Sequence, residues 1–157
     1  MPAETPQTIR AWADATFGPR TPLRALARAH AEMSELLLEL TGAADPARLL
    51  SEAADVAIVL CTGPWLDEWP GAKPAHRSHE QIEWVLFRTN SLISTSMLAT
   101  TEHAAQDGIV GHAQAVAKWL HSVFPALWSE VERKMTINRA REWTPDGFGT
   151  GQHQQES

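Results

Sequence analysis

The stretch 49–61, LLSEAADVAIVLC, decides the fold. Its only charged residues are Glu52 and Asp55, and Ala53, Ala54, Val56, Ala57, Ile58, Val59 and Leu60 surround them on every side. A helix that is apolar all round is a buried one. Just upstream, Asp45-Pro46 reads as an N-cap followed by a first-turn proline, so a helix is expected to open there and run to about Thr62. A buried carboxylate is costly unless it is paired or bound to a cation. Glu52, near the helix start, can be explained by the helix dipole. Asp55, a poor helix former in mid-helix, is not explained that way and reads as a metal ligand.

Upstream, Thr21-Pro22 starts another helix, in which Leu23, Leu26, His30, Met33, Leu37 and Leu40 alternate in spacings of three and four. That is one apolar stripe, with Gly42 as a stop. The same helix carries Glu32 and Glu35, spaced i, i+3 like Glu52 and Asp55, so each pair projects from one helix face. Two such helices packed antiparallel would bring four carboxylates together. Their repulsion would raise their pKa values, and a divalent cation with a taste for oxygen ligands, such as Mg²⁺, would relieve it. The competing reading makes Glu32, Glu35 and Glu39 an ordinary solvated face. Against it, Leu36 and Leu38 flank the acidic strip on both sides.

Working outward, strand signals are scarce, and an all-α fold of about four to five helices is expected. Thr5 to Phe17 forms a first helix, stopped by Gly18-Pro19. Residues 63–77, with three prolines and two glycines, form a loop. A fourth helix is expected from Ser78 to about Gln106, and Gly108 and Gly111 mark a break. A fifth should run from about His112 to Trp143, with Pro125 kinking or splitting it. Residues 1–143 thus read as one domain and residues 144–157 as a Gly-rich tail that is flexible unless a ligand orders it.

The 157 residues are 43% hydrophobic and carry a net charge of −6, which fits one packed domain and argues against a nucleic-acid coat. A metal can still bring an anionic small molecule to such a chain. Cys61 is the only cysteine, so neither a disulfide within the chain nor a multi-cysteine metal site is available, and it reads as a buried filler. No stretch resembles a secretion signal or reaches the roughly 18 apolar residues of a membrane span, so a cytoplasmic protein without membrane contacts is expected.

Near the other end, Lys134, Asn138 and Arg141 fall at i, i+4, i+7 on one helix stripe. Two cations and an amide suit a polyphosphate, and equally a solvated helix end where basic residues favour the dipole. The tail DGFGTGQH (146–153) offers glycines that let backbone N–H groups approach a phosphate, although it is no P-loop. The seven tryptophans read mostly as packing residues, with Trp12 and Trp143 the candidates for stacking on a base.

Glu32-Met-Ser-Glu35 followed by Glu52-Ala-Ala-Asp55 resembles the ExxE…ExxD signature of the MazG-like all-α nucleoside triphosphate pyrophosphohydrolases. Lys134-x₃-Asn138-x₂-Arg141-x-Trp143 and the Gly-rich tail ending in His153 are most similar to the phage dATP/dGTP diphosphohydrolase (MazZ) branch. The motif-bearing parts cover about residues 9–60 and 130–153, while residues 63–130 are longer than a minimal family member needs. The resemblance implies that Glu32, Glu35, Glu52 and Asp55 ligate Mg²⁺ or Mn²⁺ and that Lys134, Asn138 and Arg141 contact the triphosphate. It further implies water attack at the α-phosphorus with Glu35 as proton acceptor, release of pyrophosphate, and assembly as a homodimer or homotetramer (a dimer of dimers). In that branch the product dGMP feeds 2-aminoadenine synthesis in a phage.

Three other readings compete. A housekeeping enzyme clearing non-standard nucleotides would share the site. A non-enzymatic helical interaction module would leave the acids as a solvated face. A di-iron bundle would need Glu-x-x-His motifs, and the chain has none.

Overall fold

The computed structural model describes residues 3–71, 78–101, 106–147 and 149–153. The fold is all-α. Among the described residues six helices run as α1 (Pro6–Phe17), α2 (Pro22–Thr41), α3 (Pro46–Cys61), α4 (His79–Thr101), α5 (Gln106–Val123) and α6 (Leu127–Ala140). The first three start where their caps say they should. Thr5, Thr21 and Asp45 each accept backbone N–H bonds at an N-cap, and each is followed by a first-turn proline.

Helix α3 is the centre of the molecule and packs against α1, α2, α5 and α6. Its Ala53, Ala54, Val56, Ala57 and Leu60 are fully buried, which is why the sequence shows no polar face. Residues 42–45 connect α2 to α3, and so short a link returns the chain antiparallel.

The buried side of α2 differs from the expected stripe. Ala25, Leu26, Ala29, Met33, Leu36 and Leu40 are buried, whereas Leu23 is exposed and Leu37 only half-buried. Helix α2 packs against both α3 and α4, and the small Ala25 and Ala29 allow close approach on a side that large residues alone would not mark. This rotation carries Glu32 and Glu39 inward, each 8% exposed. A solvated acidic face is therefore not what the helix presents.

Two further expectations are corrected. Gly108 and Gly111 do not break the chain; α5 passes through both. Ile109, Ala113, Val116, Ala117 and Leu120 of that helix are buried, and this burial outweighs a penalty of about 1 kcal/mol per helical glycine. Pro125 does split the last long helix: α5 ends at Val123 and α6 begins at Leu127, giving six helices where four to five were expected.

The tail is also more ordered than expected. Trp143–Pro145 (β1) and Gly151–His153 (β2) pair antiparallel, Trp143 opposite His153 and Pro145 opposite Gly151. Gly151 is needed here, because a Cβ would lie 2.6 Å from the Thr144 carbonyl oxygen and 3.0 Å from the Phe17 ring. The hairpin packs on α1 through Trp12, Phe17 and Trp143, whose rings meet edge to face at 5.1–6.0 Å. Cys61 is fully buried and burial pushes its thiol up, in keeping with an inert filler. Among the described residues, no helix is long and apolar enough to cross a membrane.

Candidate functional site

A cavity of about 1220 Å³ opens between α2, α3, α6 and the C-terminal hairpin. Its polar floor comes from the helices that the acid pairs mark. Glu32 and Glu35 of α2 and Asp55 of α3 line it, with Ile58, Val59 and Thr62 continuing along α3. Glu52, the fourth acid, sits one turn back on α3, partly buried and outside the lining.

The acids feel one another. Burial raises the Glu32 carboxyl above the usual range, and Asp55, Glu35 and Glu52 push it further, against the pull of Arg28. Burial also raises Glu52, and Asp55 and Glu35 add to it while Lys134 and Arg48 oppose. Two cations meet this charge directly: Arg28 forms an ion pair with Glu32, and Lys134 with Asp55. Glu39 belongs elsewhere. It binds Arg48 at 3.0 Å and accepts the Asp45 N–H, so it fastens the α2–α3 connection.

The donor set fits a divalent cation in chemistry, since hard carboxylate oxygens on two packed helices face one cavity. It is not a closed coordination sphere. Among the described residues, no group of three or more carboxylates, histidines or cysteines is placed to hold one metal ion. Glu32 and Asp55 each already share one carboxylate oxygen with a cation, Arg28 and Lys134.

The basic stripe is only partly brought to the site. Asn138 lines the cavity. Lys134 lies beside Asp55 but outside the lining. Arg141 is not on the helix face at all: α6 ends at Ala140, and Arg141 is its extended, exposed C-cap residue. The i+7 spacing assumed a helix that continued to Trp143, and it ends one residue too soon.

The lining is also aromatic. Trp12 and Trp143 both line the cavity, so both tryptophans singled out in the sequence reach it. Trp143 is fixed by donating its indole N–H to the Asn138 backbone carbonyl at 2.8 Å. Thr144, Pro145, Asp146 and Thr150 of the hairpin complete the rim. Of the tail glycines, Gly151 lines the cavity and Gly149 is a packing position. Gly149 has φ 84°, and a Cβ there would fall 2.6 Å from Arg20 Cβ.

Among the charged lining residues, Arg24 and Arg28 were not anticipated, whereas Asp146, with Thr150, falls in the tail stretch that the sequence offered for phosphate approach. The arginines were legible, because Arg24, Arg28 and Glu32 fall at i, i+4, i+8 on one stripe. The hairpin itself was not, since strands of three residues give too short a pattern to read. No family model, no curated protein and no solved structure matches this chain, so its function has to be argued from these residues and their geometry.

Proposed function

We propose that this chain is a metal-dependent pyrophosphohydrolase of nucleoside triphosphates, of the MazG-like type that its acidic and basic motifs resemble. One observation carries the proposal: both acid pairs ride on one helical hairpin, and three of the four acids line a cavity that Trp12 and Trp143 also line. Carboxylates and aromatic rings in one cavity suit a nucleotide, phosphates towards Glu32, Glu35 and Asp55 and base towards Trp12 or Trp143.

Glu32, Glu35, Glu52 and Asp55 would hold Mg²⁺ or Mn²⁺, which supplies the positive charge that a polyphosphate needs among so many carboxylates. Glu35, exposed at the cavity wall, takes the proton of the attacking water. The water oxygen bonds to the α-phosphorus, the bond to the α–β bridging oxygen breaks, and pyrophosphate leaves with that electron pair. Asn138 offers neutral hydrogen bonds. Lys134 reaches phosphate only after leaving Asp55. Purine deoxynucleotides, dGTP and dATP, are the first substrates to try, with dGMP for 2-aminoadenine synthesis as one use of the product. Assembly as a homodimer or homotetramer belongs to the same proposal.

Product analysis tests it. Each of the eight common NTPs and dNTPs is incubated with protein and Mg²⁺ and resolved by chromatography. Monophosphate plus pyrophosphate is the expected result. Diphosphate plus phosphate would place the attack at the wrong phosphorus, and no turnover with either metal would favour an interaction module.

A further inference from the structure

We propose that Arg24 and Arg28, rather than Lys134 and Arg141, hold the phosphates of the bound anion, and that the Asp146 carboxylate occupies Arg24 until the anion replaces it. This rests on the nucleotide reading above and names the residues that take its anionic end. Both arginines line the cavity with Glu32, Glu35 and Asp55. All four α2 residues follow one stripe, Arg24, Arg28, Glu32 and Glu35, so cations and acids succeed one another along about 1.5 Å of rise per residue. A polyphosphate lying along that stripe meets arginine at one end and the carboxylates at the other.

The present partners of the two arginines already have the chemistry of a phosphate. Arg24 Nη2 donates to Asp146 Oδ2 at 2.7 Å and to the Thr150 hydroxyl at 3.1 Å. Two oxygens on one guanidinium, one of them charged, imitate the edge of a phosphate group. The Arg24 side chain is 42% exposed and that of Asp146 32%, so exchange needs no opening of the core. Arg28 is held by Glu32 alone among the ion pairs of the described residues. A cation at Glu32 would release it towards phosphate. Lys134 is 16% exposed and paired with Asp55, and Arg141 lies outside the cavity lining.

Asp146 also ties the hairpin turn. Its N–H donates to the Thr150 carbonyl at 2.8 Å, and its side chain accepts from the Thr150 N–H at 3.1 Å. The turn therefore stays closed through these contacts when Arg24 changes partner.

The test is calorimetric titration of the full chain with inorganic pyrophosphate at fixed ionic strength and excess Mg²⁺. Arg24→Gln and Arg28→Gln should each weaken binding about tenfold, the loss of one charge-assisted contact. Arg24→Lys should recover part of that loss. Asp146→Asn should tighten binding about threefold by removing the competing charge. Arg88→Gln, the same charge change on exposed α4, should do nothing. No binding by the wild type, or equal binding by the wild type and both arginine variants, overturns the proposal. So does weakening by Asp146→Asn, which would mean that the ion pair only holds the hairpin. The chemistry fails separately: the predicted binding pattern with no nucleotide turnover would leave the anion site standing and the pyrophosphohydrolase reading fallen.

Discussion

Replacing Glu32 by glutamine should stabilise the metal-free protein. The Glu32 side chain is 10% exposed, whereas its partner Arg28 is 48% exposed. The lost ion pair is thus half in water and is worth about 0.5 kcal/mol. Against that, the substitution removes a buried charge that three neighbouring carboxylates repel. Taking the charge off relieves a burial penalty of about 1–3 kcal/mol, and the low end applies because the cavity is open to water. The net is about 1 kcal/mol, a rise in Tm of about 2–4 °C for a chain of this size. The sign with pH follows from the raised Glu32 carboxyl. A carboxyl raised on folding contributes stability that is fully present below its unfolded pKa and is lost as pH rises through its folded value. Glutamine does not titrate. The gap in Tm between variant and wild type should therefore be near zero below the ordinary glutamate pKa of about 4 and widen as pH rises through the raised Glu32 value in EDTA. Excess Mg²⁺ should close or reverse it, since the wild type gains the cation and the variant loses a ligand. Thermal melts at several pH values, with EDTA and with Mg²⁺, measure all of this. A gap independent of pH, or a variant less stable at pH 8 in EDTA, would refute the reasoning.

Asp55→Asn should abolish nucleotide turnover while circular dichroism shows the helices intact; near wild-type turnover at saturating Mg²⁺ would remove Asp55 from the metal site. Trp143→Ala should cost about 2 kcal/mol in chemical denaturation, below the usual 3–5 for a core tryptophan because the side chain is only half-buried. It should also raise KM for nucleotides more than it lowers kcat if that wall holds the base. Gly151→Ala should loosen the hairpin, given the 2.6 Å approach to the Thr144 oxygen, and quicken amide exchange at residues 143–153 without moving the main unfolding transition.

The helical part of this molecule could be read because its signals are local. Caps at Thr5, Thr21 and Asp45 set the starts of three helices, and the apolar surround of Asp55 set the place of α3. The acid pairs were legible for the same reason, as i, i+3 spacing fixes a face whatever the tertiary structure. What escaped depended on partners distant in the chain. The buried face of α2 is shared between α3 and α4, and the passage of α5 through two glycines comes from burial that spacing alone does not weigh. Arg141 was misplaced by one helical residue, which is enough to swing a side chain off its stripe. The hairpin's hold on Arg24 spans 122 residues of sequence, and nothing near either residue announces it.

That span has a consequence for how the cavity behaves. Its acidic half belongs to two helices joined by a short turn, deep in the bundle, and should resist opening almost as long as the whole fold does. Its aromatic half closes over more than a hundred residues by a few ring contacts and ion pairs at the surface. The two halves should therefore come apart at different free energies, the hairpin swinging away in mild denaturant while α2 and α3 stay paired. A protein in that state would keep its charge-bearing groove and lose the Trp143 side of the cavity.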